Sequence, residues 1–575
     1  MSCAEKISID RLSITVTCER SDNVTPLRMS RFFPVHQNRI GTKFVVSPRL
    51  LLPILKEFRD IDDTTIAEAP SAIQKIYYAE KMRQEHIQDL LANGPKDTMR
   101  VNENLTLMYH QQLGREIAKY ADRYAFFYDT RTGKTPLSLS IIHDDLANNP
   151  THKWLIVCPL ILIETAWIED ATKFFPDMRV VNCHASTPAK RIQKIKSDAN
   201  VYITNTESFV KYSEHFSQVG FTGCIVDESS DMKSPKSKIS KVLVEFAQTM
   251  KRFYLLSGTP APNGEWEYYM QMKAIDFYGT PRSYSQFKEH FFINTSYNPQ
   301  YEKLMLRADR KQELLDWVSS NALYVDKEDA LTTPGRTFKE IVFDLPDKLK
   351  KQYSKLKNEL YLELSDSGKK VLAPTEATKL NKLNQVTSGF IIDTEIAKEN
   401  KLFKENKQAV FMLDRYRFTK LYDLLHSLGD EQVIIWCNYV KEFETIQADL
   451  GDKCRCVYGA VSLEDKTKAI KDFKQGKVQY LIANPASADK GLTLTNSHIA
   501  IYFSLNSSYE LFKQSTERIY GDISKQPKHC DYYIMIAKGT IDAVLYYDVL
   551  QGKGSASYAI LNHLKGGNLN ASKDI

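Results

Sequence analysis

The chain has 575 residues, too many for one hydrophobic core, which points to three or four domains. Its 43% hydrophobic and 26% charged residues are ordinary for a soluble globular protein. The formal charge of +6 is small for this length, so a nucleic-acid partner would have to meet a local groove and not a globally basic surface. The nine cysteines include no Cys-x-x-Cys pair, only Cys454 and Cys456 stand close, and reduced thiols are expected in place of a zinc ribbon or disulfide framework. Charged Glu5, Lys6, Asp10 and Arg11 stand where a signal peptide needs an apolar run, and the apolar stretch Leu155 to Ile163 is too short to span a bilayer. A soluble, cytoplasmic protein with no membrane partner is the expectation.

In chain order, Ser13 to Cys18 and Lys43 to Val46 read as half-buried strands, and a helix is predicted from Ser47-Pro48 or Pro53 through Phe58. Ile73, Ile76, Ile87, Leu90 and Leu91 form one stripe of a longer helix that Asn93-Gly94-Pro95 ends. From Leu107 strands alternate with helices, the pattern of a parallel sheet. The predicted strands are Arg123 to Phe127, Trp154 to Pro159, Val180 to Asn182, Val201 to Thr204, Gly223 to Val226 and Phe253 to Leu256. Residues 262 to about 410 read as helix-rich and charged. A second alternation follows, with strands at Val433 to Trp436, Cys456 to Tyr458, Tyr480 to Ile482, Ile499 to Phe503 and Tyr532 to Ile536.

The stretch Tyr128-Asp129-Thr130-Arg131-Thr132-Gly133-Lys134-Thr135 joins the first strand of this series to a helical segment. A strand, a tight loop and a helix with Gly-Lys-Thr at the join suit the phosphates of a nucleotide. Loop amides and the helix N-terminus face the anion, the lysine neutralises the outer phosphates, and the threonine hydroxyl holds magnesium. The glycine that the standard pattern has five positions before Gly133 is Tyr128 here. Asp227-Glu228 closes another buried strand about ninety residues on. There Asp227 can hold magnesium while Glu228 orients and deprotonates an attacking water.

Asp227-Glu228-Ser229-Ser230-Asp231-Met232-Lys233-Ser234-Pro235-Lys236-Ser237 resembles the Asp-Glu box of Swi/Snf-type ATPases of helicase superfamily two, and further motifs of that family recur in order. They are His110-Gln111, Ile156 to Pro159 with Trp167, Ile203 to Ser208, Ser257 to Pro260 with Asn263, Asn384 to Phe390, Val433 to Tyr439, Gly459 with Phe473 to Gly476, Leu481 to Thr495, and Gln514 with Arg518. The lean layout is most similar to bacteriophage members, for which the compartment would be the host cytoplasm. The resemblance implies an α/β fold of two RecA-like parallel-sheet lobes preceded by a small α+β domain. The expected boundaries are 1–103 for the accessory domain, 104–280 for lobe one, 281–410 for a helical joint and lobe-associated helices, 411–552 for lobe two, and 553–575 for a partly disordered tail.

It also implies Mg-ATP hydrolysis between the lobes, driving translocation on double-stranded or branched DNA by a monomer that serves replication, recombination or transcription proteins. By the same resemblance Gln111 recognises adenine, and Arg131, Thr132, Gly133, Lys134, Thr135, Asp227 and Gly491 bind the nucleotide. Thr135 and Asp227 hold magnesium, Glu228 is the base, and Lys134, Gln514 and Arg518 complete the catalytic set. Pro159, Asn205, Glu207, Ser208, Gly459 and Asn484 line the nucleic-acid groove, mostly against phosphates.

Two positions depart from the family pattern. The first glycine of its Gly-x-Gly-Lys-Thr loop is Arg131, and the second arginine of its sixth motif is Gly521, with the closing glutamine displaced to Gln526. Either Arg131 returns a guanidinium lost from lobe two, or hydrolysis is weakened. The alternatives to a translocase are therefore an ATP-gated clamp on nucleic acid and an ATPase acting on RNA or a transcription complex. His143, His184 and His215 lack metal-ligand spacing, the Tyr and Phe residues at 291–301 read as core more readily than as base-stacking groups, and Lys348 to Lys357 reads as a solvated face.

Overall fold

The computed structural model describes residues 71–276, 283–295, 304–359, 376–393, 409–487 and 493–551, with short stretches between them and four strands before residue 47. The chain divides into two compact units at Ala330/Leu331. Ahead of the first parallel sheet, strands Lys6–Ile9, Ile14–Cys18, Thr42–Val46 and His36–Asn38 form, in that order, an antiparallel four-stranded sheet. The helix expected between Ser47 and Phe58 and the tail after Gly552 lie outside the described residues.

The first unit is built on a seven-stranded sheet whose neighbours all run parallel. Its order is Ala322–Val325, Arg123–Tyr128, Arg252–Leu256, Gly223–Asp227, Trp154–Cys158, Val201–Asn205 and Val180–Asn182. A strand turns successive side chains to opposite faces. Accordingly Tyr124, Phe126, Tyr128, Ile156 and Cys158 enter one core with Ile117, Leu137 and Ile141 from helices. Ala125, Phe127, Leu155 and Val157 enter a second core with Leu243, Phe246 and Met272. Covering both faces explains why these strands read as unbroken apolar runs. Arg123, at the start of its strand, donates to Ala247 O and Met250 O (both 2.9 Å) and to Ala274 O and Ile275 O. One guanidinium thus serves the last carbonyls of two helices, where a positive charge also suits the helix dipoles.

The second unit holds a six-stranded parallel sheet in the order Arg336–Phe343, Cys530–Ala537, Ile499–Tyr502, Val433–Trp436, Tyr480–Ala483 and Cys454–Val457. Both sheets have the RecA-like build that the sequence implied. The second unit is cross-linked from within by Arg417, which is 2% exposed. Its guanidinium pairs with Asp542 (2.6 Å) and donates to Phe503 O (2.6 Å) and Met535 O (2.9 Å), tying the helix Tyr416–Ser427 to two strands.

Two expectations are corrected by these elements. The segment 281–410 is not one helical joint. Ala322–Val325 is an edge strand of the first sheet and Arg336–Phe343 an edge strand of the second, and the units part between them. An edge strand has a partner on one side only; Ala322–Val325 is an apolar run of just four residues, and Arg336–Phe343 is exposed over most of its length, so neither stands out as a strand in the sequence. The helix Ser71–Asn93, expected within the accessory domain, sends Ile87 and Leu90 into a core of the first parallel sheet. Phe287, Phe291 and Phe292 are buried around Trp317 and Trp266, so these aromatic rings are core. Lys348, Lys350, Lys351 and Lys357 are exposed on a helix whose Leu349, Tyr353 and Leu356 are buried, which is the solvated face expected. Among the described residues seven cysteines are free and buried, and no helix is long and apolar enough to cross a membrane.

Breaking a buried ion pair by removing one partner costs roughly 3–5 kcal/mol, whereas replacing both with apolar groups is often neutral. Arg417→Met should therefore lower the urea-unfolding free energy of the second unit by about that amount, and adding Asp542→Leu should restore most of it.

Candidate active site

A parallel sheet presents all its strand C-termini along one edge, and ligands of open α/β sheets bind there. In the first unit that edge carries, in sheet order, the loop Asp129–Thr135, the segment Ser257–Pro260, Asp227-Glu228, Pro159, and Asn205–Ser208. The folded sheet thus brings to one rim the residues of this unit that the sequence reading expects to meet nucleotide and nucleic acid.

The phosphate-loop residues hold an unusual backbone. Gly133 has φ 80°, and Arg131, two residues before it, also lies in the left-handed region at φ 68°. A Cβ at position 133 would stand 1.9 Å from Gln111 Nε2, so both the turn and the packing demand glycine. Two neighbours clamp the loop from the helix Tyr109–Tyr120. Gln111 Nε2 donates to Thr132 O (3.0 Å) and Gly133 O (3.3 Å), while its Oε1 accepts from Met108 N (2.9 Å). His110 Nε2 donates to Thr132 O (2.7 Å), which fixes the tautomer. Tyr128, where a glycine was expected, ends the strand as a fully buried residue whose hydroxyl donates to His110 O (2.7 Å). Gln111 is thus bonded to the loop itself, a duty that the adenine-recognition reading did not include. Lys134 Nζ donates to Tyr128 O (2.9 Å) and Asp129 O (3.4 Å), at the mouth of the loop.

Asp227 ends its strand nearly buried, with Oδ1 accepting from Glu228 N (3.0 Å) and Oδ2 from Trp167 Nε1 (3.2 Å). Trp167 is fully buried and sits in the π-helical turn Ile163–Ile168, a rare geometry concentrated at functional sites. Glu228 has φ 57°. Among the described residues Arg131 and Glu228 are the two non-glycine residues with positive φ, so backbone strain is confined to the phosphate loop and the Asp-Glu pair. Gln271, fully buried, accepts from Ser229 Oγ (2.8 Å) and donates to Pro260 O (2.6 Å), joining the Asp-Glu segment to Ser257–Pro260. The sequence signalled neither Gln271 nor the Trp167–Asp227 bond, because both depend on helices folding back over the sheet edge.

Among the described residues no three His, Cys, Asp or Glu side chains are grouped to hold a metal. Magnesium takes one or two carboxylates and draws its remaining ligands from water and phosphate oxygens, so the Asp227 carboxylate with the Thr135 hydroxyl is a fitting donor set. Among the residues expected to meet nucleic acid, Ser208 Oγ accepts from Arg191 NH1 (3.0 Å), and Glu207 accepts from Asn205 Nδ2. The Glu207 carboxylate adds negative charge there, which makes it a poor phosphate ligand.

In the second unit Gly459 and Asn484 follow neighbouring strands. A Cβ at Gly459 would meet nothing within 4 Å. Asn484 Nδ2 donates to Cys437 O (3.1 Å), so its amide holds two strand ends together. Gln514 and Arg518 are buried, and Arg518 O accepts from Leu494 N (2.8 Å). Gln526, the displaced glutamine, donates to Ser497 O (2.7 Å), Thr495 O and Ile519 O (both 3.1 Å), which makes it a brace. Gly491 lies outside the described residues.

The family model described as the SNF2-related domain matches residues 69–405, and that of the helicase conserved C-terminal domain matches 416–520. Protein p41 of Acyrthosiphon pisum secondary endosymbiont phage 1 is 24% identical over 428 residues, 72% of this chain and 89% of its own length. The DNA annealing helicase and endonuclease ZRANB3 of Homo sapiens is also 24% identical over 428 residues, but the chain spans only 36% of its length. Among solved structures, the Sulfolobus solfataricus SWI2/SNF2 ATPase core in complex with dsDNA aligns with 81% of this chain and 98% of its own, at 20% identity and a TM-score of 0.37.

Left-handed backbone costs a non-glycine residue roughly 1–2 kcal/mol, and glycine returns about 0.5–1 of that as unfolded-state freedom. Arg131→Gly should therefore stabilise the first unit by on the order of 0.5 kcal/mol, read as a higher urea midpoint. Burial holds the His110 pKa below its ordinary value, against the opposing pull of the Thr132 carbonyl. The neutral ring's contribution is then complete above about pH 6.5 and lost as pH falls through the folded-state value. His110→Gln should flatten that acid-side decline of unfolding free energy with pH.

Proposed function

We propose, from the premise that this chain belongs to the SNF2-related family of helicase-like ATPases, that it is an ATP-driven translocase on double-stranded or branched DNA. The observation that carries the reading is the order along one sheet edge, from the phosphate loop through Asp227-Glu228 to Pro159 and Asn205–Ser208. Nucleotide chemistry and polynucleotide contact share one rigid rim, so a change at one end has a short path to the other.

In this reading the amides of Thr132 and Gly133 and the Lys134 ammonium receive the outer phosphates, as loops at helix N-termini do. Thr135 and Asp227 would hold magnesium, which would supply positive charge to the phosphate oxygens. Trp167 keeps the Asp227 carboxylate turned to its task. Glu228 accepts the proton of the attacking water, and its strained backbone is the mark of a side chain held for use. Gln111 sets the loop and receives the base. Gln514 and Arg518 are the second unit's contribution to hydrolysis. Pro159, Asn205 and Ser208, with Gly459 and Asn484, bear on the DNA backbone, giving affinity without sequence preference. ZRANB3 carries DNA annealing helicase in its name, which agrees with a duplex or branched substrate here. Replication, recombination or transcription proteins are the partners such an activity would serve.

A second reading, a clamp that binds ATP and DNA but barely hydrolyses, draws on Arg131 in a glycine's conformation and Gly521 in an arginine's place. ATP turnover measured without nucleic acid, with duplex DNA, with single-stranded DNA and with RNA separates the readings, Glu228→Gln serving as the blank. Strong duplex stimulation, at least tenfold over the blank and absent with RNA, is the expected result. Turnover at the level of the blank on every substrate would replace the translocase with the clamp.

A further inference from the structure

Lys327 is 1% exposed, and it stands outside every motif by which the phosphate loop was found. It follows the edge strand Ala322–Val325, which pairs in parallel with Arg123–Tyr128 and so ends beside the loop. Two bonds join the two strand ends. Asp129 N donates to Val325 O (3.0 Å), and Lys327 Nζ donates to Thr130 Oγ1 (3.5 Å). Thr130 is also the residue against which Gly258 packs, since a Cβ at 258 would come within 3.3 Å of Thr130 N and 3.4 Å of Thr130 Cγ2. Thr130 is therefore the point where the loop meets both the Ser257–Pro260 segment and the last strand of the sheet.

Burying an ammonium is expensive unless polar partners or an anion repay it. The long bond to the Thr130 hydroxyl meets part of that cost, and a polyphosphate received by the loop would meet more of it. Directly beyond, the helix Lys327–Ala330 ends the first unit.

We propose that Lys327 is a positioning residue which, through Thr130, holds the phosphate loop in its nucleotide-receiving course and makes that course continuous with the chain leaving the first unit. This role rests on the nucleotide site proposed above. It explains how Arg131, the next residue, is kept in a left-handed conformation that its side chain disfavours: the loop is fixed on one side by His110 and Gln111 and on the other by Lys327.

The test is equilibrium binding of a fluorescent ATP analogue with magnesium to the full chain, for the parent, Lys327→Met, Thr130→Val and the double variant, with folding checked by circular dichroism. Each single variant is expected to bind at least fivefold more weakly, and the double variant should match Lys327→Met within twofold, because both changes break one connection. Unchanged affinity in a folded single variant, or losses that multiply in the double variant, would overturn the role. Should Lys327→Met fail to fold, Thr130→Val alone decides by the same fivefold criterion. A parent that binds no analogue removes the nucleotide site itself and this role with it. A parent that binds but shows no duplex stimulation leaves this role standing while the translocase reading falls.

Discussion

The geometry of the first unit depends on a short loop kept in a backbone conformation that its own sequence resists. Between Tyr128 and Lys134 two residues take left-handed angles, and only one of them is glycine. Such a course persists when surrounding groups over-determine it. Here they do so through His110 and Gln111 on Thr132 and Gly133, Lys134 on Tyr128 and Asp129, and Lys327 on Thr130. The loop is thus held by its own Lys134 and by two distant parts of the chain, the helix Tyr109–Tyr120 and Lys327.

The same economy runs along the rest of the rim. Trp167 reaches Asp227 from one strand away, and Gln271 ties the Asp-Glu segment to Ser257–Pro260. Each bond is modest, about 1–3 kcal/mol when a charged or buried group is concerned. Their effect lies in direction: they orient the Asp227 carboxylate and fix the backbone that follows Glu228, which is what the proposed hydrolysis asks of this pair. The second unit uses a comparable device away from its rim, where Arg417 and Asp542 spend their buried charges on strand ends and on each other.

Much of this was legible in the residues. Buried parallel strands such as Trp154–Cys158 and Val433–Trp436 announce themselves as apolar runs, and the motifs that follow them have fixed spacing. Gly133 was legible too, since a tight turn into a helix leaves few alternatives. What the sequence hid were edges and second contacts. Ala322–Val325 and Arg336–Phe343 pair on one side only, the first just four residues long and the second largely exposed, so the sequence reading puts the parting of the units inside a single joint. Gln111 and Asn484 read in the sequence as ligand contacts, and their amides also bond the protein's own backbone. A side chain's hydrogen-bond partners are decided by neighbours far away in sequence, and no local pattern reports them.

The central claim is that hydrolysis at this rim drives movement along a duplex. Displacement of a third strand from a DNA triplex with a duplex flank measures that movement directly, for the parent, Lys134→Ala and Glu228→Gln. The account predicts ATP-dependent displacement by the parent and none by either variant. Displacement by Glu228→Gln at the parent's rate, or a parent that hydrolyses ATP on duplex DNA yet leaves the third strand in place, would contradict it.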